Sequence, residues 1–299
     1  MSVDLHGRVA IVTGAGGGLG REHALALAAR GARIVVNDVG GALDGTGSDR
    51  TPAEHVVAEI VEAGGTAVVD TNSVATEEGG AAIIQTGLKA FGQVDIVVNN
   101  AGIVRDRAFH NMTQEAIDDV LAVHLDGAFA VTRAAWRHMR EQQHGRVVFT
   151  TSAAGLLGNF GQANYAAAKA GVVGLMKVLA IEGAKHGITA NAIAPVARTR
   201  MTEEILGGFL AGRAAAKLVS PLVVWLAGDS CKDSGNVYTV GGGRIARFVV
   251  ALTEGWTRTD GELTPEDIEE HWDQISSTAE LTIPRELNDD FRALKRALS

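Results

Sequence analysis

Short apolar segments rich in β-branched residues alternate along the chain with longer, Ala-rich segments of helical length. The apolar segments are continuous rather than alternating between apolar and polar positions, which is typical of strands buried on both faces of a parallel sheet. The pattern therefore predicts an α/β fold with a doubly wound parallel sheet. The predicted strands cover residues 9–12, 34–36, 67–69, 94–98, 147–150 and 188–193.

The longer segments between the strands predict helices, and several of them are followed by a glycine. Glycine readily adopts the left-handed backbone conformation that ends many helices, so we interpret these glycines as helix ends. They are Gly31, Gly64, Gly92 and Gly187, and the predicted helices cover residues 22–30, 52–63, 77–91, 114–140 and 164–185.

Two segments depart from this alternation. Residues 40–50 form a loop rich in Gly, Asp and Ser directly after the second strand, and loops of this length are usually functional or mobile. After Gly243 the pattern changes to a strand-like piece and then to a helix start at Thr264, which is followed by a proline. We therefore expect a main domain over residues 1–243 and a C-terminal extension over residues 244–299.

The composition excludes several classes of protein. The 27 Lys and Arg residues against 35 Asp and Glu residues give a net charge of -8, which disfavours a nucleic-acid partner. Cys231 is the only cysteine, so an intrachain disulfide and a thiolate cluster are excluded, and the histidines lack metal-ligand spacing. No apolar segment has the length that a membrane span needs. We expect a cytoplasmic protein with no metal and no membrane partner.

A glycine-rich turn follows the first strand and precedes the first helix. Glycines at this place allow a tight turn and let the backbone approach a pyrophosphate at the helix N-terminus. The spacing of Gly14, Gly18 and Gly20 differs from the usual G-x-G-x-x-G, and no Gly-Lys-Ser/Thr follows, which excludes a nucleotide-hydrolysing P-loop. The turn therefore predicts a dinucleotide site, to which Gly16 and Leu19 also contribute.

Asp38 closes the second strand, where a carboxylate can accept hydrogen bonds from the ribose hydroxyls of an adenosine. The 2′-phosphate of NADP would lie against this negative charge, and no Arg is present in the glycine turn to compensate. We therefore expect NAD rather than NADP as the cofactor.

Tyr165 and Lys169 lie four positions apart in the Ala-rich segment after the fifth strand, so the phenol and the ammonium share one helical face. A free phenol titrates near pH 10, and a tyrosine that acts as a base near neutral pH needs a pKa lowered by roughly three units. An adjacent ammonium and a cationic nicotinamide are two groups that lower it. Ser152, at the end of the fifth strand, is placed to hydrogen-bond the reacting oxygen.

These motifs resemble those of the short-chain dehydrogenase/reductase family. The likeness covers about residues 5–243 and implies a Rossmann-type fold. It is carried, in chain order, by Thr13-Gly14 with Gly18 and Gly20, the Asn-Asn-Ala-Gly sequence at 99–102, Ser152, Tyr165 with Lys169, and Pro195.

The resemblance also implies a role for each matching residue. Tyr165 would be the general base, Lys169 would hold the nicotinamide ribose and lower the pKa of the phenol, and Ser152 would orient the substrate oxygen. The usual family pattern has Asp where this chain has Asn72. The implied cofactor contacts are Asn100, Ala101, Gly102, Ser73, Val74, Tyr165, Lys169, Pro195, Val196 and Thr199, in addition to the glycine turn and Asp38.

A narrower resemblance concerns the segments 36–41, 100–107 and 158–165 and the C-terminal extension. They are similar to the branch of the family that forms the dehydrogenase unit of multifunctional enzymes of type 2. That branch implies NAD-dependent oxidation of a (3R)-3-hydroxyacyl-CoA. A hydroxysteroid dehydrogenase, or an enzyme acting on a steroid side-chain acyl-CoA, is the alternative within the enzyme class. An NAD-binding scaffold without turnover is the alternative outside it.

His124 stands where most of the family has a catalytic Asn. One interpretation gives it a part in the catalytic proton relay, in which its ring would bond a backbone carbonyl or a water in place of the Asn. The other interpretation treats it as a packing residue, because a His in an apolar segment usually is one. The sequence leaves both open.

Further expectations concern the substrate and the assembly. Residues of the extension, among them Trp256 and Trp272, either cover the active site of a partner subunit, as the resemblance implies, or pack on their own domain. The resemblance also implies a homodimer or homotetramer, with the helices at 114–140 and 164–185 as the interface. Four arginines lie in predicted loops on the cofactor side, and we consider two interpretations of them: they contact the phosphates of CoA, or they are simply solvated. They are Arg105, Arg107, Arg198 and Arg200.

Overall fold

A computed structural model of the chain describes residues 3–42, 44–197, 215–284 and 286–298. The first β-strands of these residues are β1 (Val9–Thr13), β2 (Arg33–Asn37), β3 (Thr66–Asp70), β4 (Ile96–Asn99) and β5 (Gly145–Thr150). They are followed by β6 (Ile188–Pro195), β7 (Val237–Gly241), β8 (Arg244–Phe248), β9 (Leu252–Thr253) and β10 (Leu281–Thr282).

The helices alternate with these strands. The first five are α1 (Gly18–Ala28), α2 (Thr51–Glu62), α3 (Glu77–Phe91), α4 (Gln114–Leu121) and α5 (Gly127–Glu141). The others are α6 (Ala153–Leu157), α7 (Ala163–Gly183), α8 (Ser220–Ala227), α9 (Pro265–Ser276) and α10 (Leu287–Ala297).

The large sheet has the strand order β3-β2-β1-β4-β5-β6-β7-β8, and the neighbours from β3 to β7 are parallel. Both faces of the sheet are covered. Ala10 and Val12 of β1 share a buried cluster with residues of α1, α2 and α8, whereas Ile11 lies beside Gly87 of α3 on the other face. The prediction of a doubly wound α/β fold of Rossmann type is therefore confirmed.

The strand order reverses at β1, which lies between β2 and β4. Connections leave the carboxyl ends of β1 and β4 in opposite directions, and the crevice at such a reversal is the usual ligand site of this architecture. The structure adds β7 to the six predicted strands, and β8 is the strand-like piece expected after Gly243. The predicted glycine ends of helices are confirmed, with positive φ angles at Gly31, Gly64, Gly92 and Gly187.

The predicted helix over 114–140 is not a single α-helix. A π-helical turn, Ala122–Asp126, separates α4 from α5. A π turn adds a residue to the helix and occurs frequently at functional sites. The apolar period of the segment does not distinguish this turn from a regular helix.

The chain divides into two compact units, Met1–Arg247 and Phe248–Ser299. In the second unit β9 pairs with β10 in an antiparallel ladder, and Trp256 stacks on His271 with ring centroids 3.9 Å apart. Its helix α9 begins at a capping box formed by Thr264 and Asp267. In the part of the chain that the structure describes, no helix has the length and apolar character needed to cross a bilayer.

Candidate active site

The glycine turn connects β1 to α1. Gly14 and Gly18 adopt positive φ angles of 64° and 52°, and no described side chain caps the N-terminus of α1 at Gly17. The first turn of α1 also lacks acidic residues. Its backbone N–H groups and the positive end of the helix dipole are therefore available to an anion such as a pyrophosphate.

Close packing explains the glycines on both sides of the turn. A Cβ atom at Gly20 would lie 2.1 Å from the carbonyl oxygen of Gly14, and a Cβ atom at Gly14 would lie 2.8 Å from the Cα atom of Ala101. Leu19, between Gly18 and Gly20, packs against the buried cluster. The glycines thus let the turn lie close against its own backbone and against the residues after β4, and a dinucleotide-binding turn needs such close packing.

Thr13 and Asn100 tie the carboxyl ends of β1 and β4 together. The Thr13 hydroxyl oxygen accepts hydrogen bonds from the backbone N–H groups of Asn100 at 3.0 Å and Ala101 at 3.1 Å. The side-chain amide of Asn100 donates to the carbonyl oxygens of Thr13 at 3.0 Å and Gly14 at 3.2 Å. These hydrogen bonds of Thr13 were not predicted from the sequence. The sign of them there is a polar residue at the end of a strand that is otherwise apolar.

Asp38 is held at the mouth of the same crevice. Its carboxylate accepts hydrogen bonds from the backbone N–H groups of Gly16 and Gly40, each at 2.7 Å. Each carboxylate oxygen has a further lone pair, so the group can still accept from hydroxyls. Asp38 could therefore accept hydrogen bonds from ribose hydroxyls, and its negative charge would repel a phosphate placed beside it.

A buried carboxylate fixes the loop after β3. Asp70 accepts hydrogen bonds from the side-chain amide of Asn37 at 2.8 Å and from the backbone N–H of Asn72 at 3.0 Å. The side-chain amide of Asn72 also donates to Asp70, at 2.9 Å. Beyond this network Ser73 is exposed and Val74 is buried. Asp70 was not singled out from the sequence, in which it is one more acidic residue at a strand end.

The end of β6 borders the crevice on its other side. Pro195 is the last residue of β6, and the backbone N–H of Val196 donates to the carbonyl oxygen of Val240 at 2.8 Å. The predicted contact residue Thr199 lies outside the described residues, as do Arg198 and Arg200.

Ser152, Tyr165 and Lys169 come together beyond β5. Ser152 is the N-cap of α6, and its side-chain oxygen accepts from the backbone N–H of Ala154 at 3.1 Å. Lys169 is buried, donates from Nζ to the carbonyl oxygen of Thr150 at 2.6 Å, and lies 5.6 Å from the centroid of the Tyr165 ring. The predicted shared face of Tyr165 and Lys169 is confirmed.

Burial governs the protonation of this pair. It lowers the pKa of Lys169 to about 7. Burial also raises the pKa of Tyr165, and it is the largest cause of that shift. Two smaller causes are the hydrogen bond with Ser152, which lowers the pKa, and the charge of Asp106, which raises it. The expected lowering of the phenol pKa by Lys169 is not seen in this structure, because burial disfavours charge on both groups.

His124 lies in the π turn and is buried beside Tyr165. Its ring meets the Tyr165 ring edge to face, with centroids 5.2 Å apart and planes at 88°. Its Nε2 lies 2.8 Å from the carbonyl oxygen and 3.0 Å from the backbone nitrogen of Ile103. Burial first, and the charge of Lys169 second, lower the pKa of His124 well below its usual value, so the ring is neutral.

A cavity of about 10 Å³ lies between these residues, and its lining includes His124, Lys169, Thr13 and Thr150. This is about the volume that one water molecule needs. The Nδ1 atom of His124 and the hydroxyl of Thr150 are buried and have no hydrogen-bond partner among the described residues. A small polar group that enters the cavity would therefore meet two unpaired hydrogen-bonding atoms.

The two described loop arginines differ. Arg105 forms an ion pair with Asp119 at 2.7 Å. Arg107 is exposed, its backbone N–H donates to the carbonyl oxygen of Gly161 at 2.8 Å, and its guanidinium forms no ion pair with any described residue. Of the two, Arg107 is the one whose charge is available to a ligand.

Comparison with known proteins identifies relatives over nearly the whole chain. The peroxisomal multifunctional enzyme type 2 of Mus musculus is 46% identical over 300 residues, which cover 98% of this chain and 40% of that protein. The hydroxyacyl-CoA dehydrogenase ChsB1 of Mycobacterium tuberculosis is 38% identical and covers 94% of this chain and 89% of its own length. This chain thus spans less than half of the mouse enzyme.

A solved structure shares the fold. The full-length peroxisomal multifunctional enzyme type 2 from Drosophila melanogaster superposes with a TM-score of 0.84 at 36% sequence identity, over 99% of this chain and 50% of that one. The family model for short chain dehydrogenases matches residues 8–207, which hold the glycine turn, Asp38, Ser152, Tyr165 and Lys169. This chain is therefore an oxidoreductase and belongs to the short-chain dehydrogenase/reductase family, whose members use NAD or NADP.

Proposed function

We propose that this protein oxidises a (3R)-3-hydroxyacyl-CoA to the corresponding 3-ketoacyl-CoA with NAD. The observation that carries the proposal is the cluster of Ser152, Tyr165 and Lys169 beside the glycine turn, at the carboxyl ends of the parallel strands. The name of the hydroxyacyl-CoA dehydrogenase to which the chain is similar supports the choice of substrate.

In this proposal each side chain has a separate task. NAD, when bound, supplies the carbon that accepts a hydride. The phenolate oxygen of Tyr165 accepts the proton of the substrate hydroxyl while the carbinol carbon of the substrate gives up the hydride, and Ser152 hydrogen-bonds the reacting oxygen. Lys169, anchored on the carbonyl oxygen of Thr150, holds the ribose hydroxyls and places its charge near the phenol. His124 supports Tyr165 through their ring contact.

The preference for NAD rests on Asp38. Its carboxylate is fixed by two backbone N–H groups and faces the position where the adenosine ribose lies in this architecture. The proposed cofactor contacts include Ser73 and Val74 after β3, Asn100 to Gly102 after β4, and Pro195 and Val196 after β6.

Arg107 is the proposed contact for the phosphates of CoA, because it is exposed, its backbone lies beside Gly161 just before α7, and its guanidinium forms no ion pair with described carboxylates. We further propose a homodimer or homotetramer, a cytoplasmic location, and a C-terminal extension that covers the partner subunit. The whole-protein activities of the longer relatives are not required for this reaction.

The test is the formation of reduced nicotinamide, followed by its near-ultraviolet absorbance, with (3R)- and (3S)-3-hydroxyacyl-CoA and a hydroxysteroid, each with NAD and with NADP. We expect turnover with NAD and the (3R) thioester, and we expect Tyr165→Phe to abolish it while dinucleotide binding is kept. Tyr238→Phe, which changes the only other tyrosine, is the matched control and should keep full activity. Turnover of the steroid alone, or NAD binding without turnover of any substrate, would contradict the proposal.

A further inference from the structure

The loop between β2 and α2 reaches the segment after β4. Gly45 has a φ angle of 89°, and a Cβ atom built on it would lie 3.3 Å from both Cδ1 and Cγ2 of Ile103. The backbone of Gly45 thus lies so close to the Ile103 side chain that a methyl group at position 45 would press on it. Next to it, the pKa of the Asp44 carboxyl is lowered first by hydrogen bonds from Thr46 and also by the positive charge of Arg105.

The order of the strands in the sheet shows where this contact lies relative to the dinucleotide site. β2 and β4 lie on the two sides of β1, and the glycine turn begins at the carboxyl end of β1. A loop that leaves β2 and contacts a residue after β4 must pass the crevice where Asp38 and the glycine turn lie. The contact of Gly45 with Ile103 therefore connects the two sides of the dinucleotide site.

On its other side Ile103 contacts the catalytic cluster. The Nε2 atom of His124 lies within hydrogen-bond distance of both the backbone nitrogen and the carbonyl oxygen of Ile103. The His124 ring packs edge to face on Tyr165. Ile103 also belongs to a buried cluster with Ala168, against which Tyr165 packs. Contacts therefore run without a break from Gly45 through Ile103 and His124 to the catalytic phenol.

We propose that Gly45 is a positioning residue for Tyr165, because the backbone of Gly45 seats Ile103, and Ile103 and His124 together set the position of the phenol ring. This inference rests on the proposed function for its kinetic consequence. The simpler explanation is that Gly45 is needed only for its left-handed backbone. A comparison with Gly47 distinguishes these two explanations. Gly47 also has a left-handed backbone, with a φ angle of 76°, but a Cβ atom there would meet nothing within 4 Å.

The experiment compares Gly45→Ala with Gly47→Ala. Both variants impose the strain of a left-handed alanine, but only Gly45→Ala presses a methyl group on Ile103. We expect kcat for the proposed oxidation to be about 10-fold lower in Gly45→Ala than in Gly47→Ala, because small displacements of reacting groups are costly. We expect the KM for NAD to be similar in the two variants.

A second readout uses the protein without cofactor. The imidazole nitrogen resonances of His124, measured by NMR on histidine-labelled protein, report its hydrogen bonding to Ile103. They should shift in Gly45→Ala and stay at the wild-type position in Gly47→Ala. If the two variants agree in both kcat and the His124 resonances, the proposal is wrong. If wild-type protein shows no turnover, the proposed function is wrong. The His124 resonances still show whether a methyl group at position 45 acts on His124 through Ile103.

Ile103→Val completes the test, because it removes Cδ1, one of the two atoms against which a side chain at position 45 would press. We expect the double variant Gly45→Ala/Ile103→Val to recover part of the kcat that Gly45→Ala loses, and its His124 resonances to return toward the wild-type position. Purely additive losses in this cycle would show that the two residues do not act through their contact, and would overturn the proposal.

Discussion

Burial has opposite consequences for the two ionisable residues of the catalytic cluster. The pKa of Lys169 is lowered to about 7 and the pKa of Tyr165 is raised, both because the interior disfavours charge. In the protein without cofactor the phenol is therefore protonated near neutral pH, and the lysine carries only part of a charge. The reactive phenolate becomes more populated as pH rises.

The first prediction concerns this phenolate. The kcat/KM for alcohol oxidation should rise with pH in the alkaline range, because a larger fraction of Tyr165 is then able to accept the substrate proton. Ser152→Ala should move the rising limb to higher pH, since the hydrogen bond from Ser152 lowers the pKa of Tyr165. The check is a pH profile of initial rates for both proteins. A profile that is flat or that falls over this range contradicts the assignment of Tyr165 as base.

The second prediction concerns Lys169 and stability. Between pH 7 and 10.5 the unfolded lysine binds a proton that the folded one does not, so the free energy of unfolding rises with pH over this window. The slope from this group is at most about 1.4 kcal/mol per pH unit. Lys169→Met removes it, so any stability advantage of the variant at pH 7 should shrink toward pH 10. Denaturant unfolding of the cofactor-free proteins measures this.

Lys89→Met is the control for this measurement, because Lys89 is exposed on α3. Its unfolding free energy should follow the wild-type pH dependence. If Lys169→Met also follows the wild-type curve, the folded lysine is charged throughout the window and the burial argument is wrong.

At the scale of elements, the β1-α1 turn is the most constrained piece of backbone in the site. Gly20→Ala should lower the affinity for the dinucleotide by about 10-fold or more, because the new methyl group meets the carbonyl oxygen of Gly14 at 2.1 Å and the turn must open. Gly92→Ala is the control, since a Cβ atom there meets nothing within 4 Å. It should cost about 1 kcal/mol of stability through its left-handed backbone and leave affinity unchanged. Calorimetric titration with the reduced dinucleotide measures the affinity of each variant. Equal affinities of the two variants would contradict the prediction.

The elements that repeat a simple pattern were predictable, and those that depend on a single inserted residue were not. The strands from β1 to β6 and the glycine-ended helices follow from continuous apolar segments and left-handed glycines. The π turn at His124 does not change the apolar period of the 114–140 segment, so its existence and the contact with Ile103 are visible only in three dimensions.

At the scale of the whole molecule, the fold brings together residues that are far apart in sequence. The motif residues Tyr165, Lys169 and Ser152 were recognised because their spacing or position in a strand carries the chemistry. The hydrogen bonds of Thr13 and the part of Asp70 were not predicted, because both depend on partners from neighbouring strands, which periodicity does not identify. The same holds for the direction of the Tyr165 pKa, since burial, its largest cause, is a property of the folded chain.

The last prediction concerns assembly and the face of α7. Val178 and Ile181 lie on this helix with relative exposures of 51% and 74%, although large apolar side chains on a helix are normally covered. In a two-fold interface the same patch contributes from both subunits, so one added charge is introduced twice. Ile181→Glu should therefore lower the mass found by sedimentation velocity, from dimer to monomer for a homodimer and from tetramer to dimer for a homotetramer. Val61→Glu on α2, at a residue that is 54% exposed, introduces the same charge on a different helix and should leave the oligomer intact. A monomeric wild-type protein, or an unchanged mass of the Ile181→Glu variant, would show that the exposed face of α7 has another role than joining subunits.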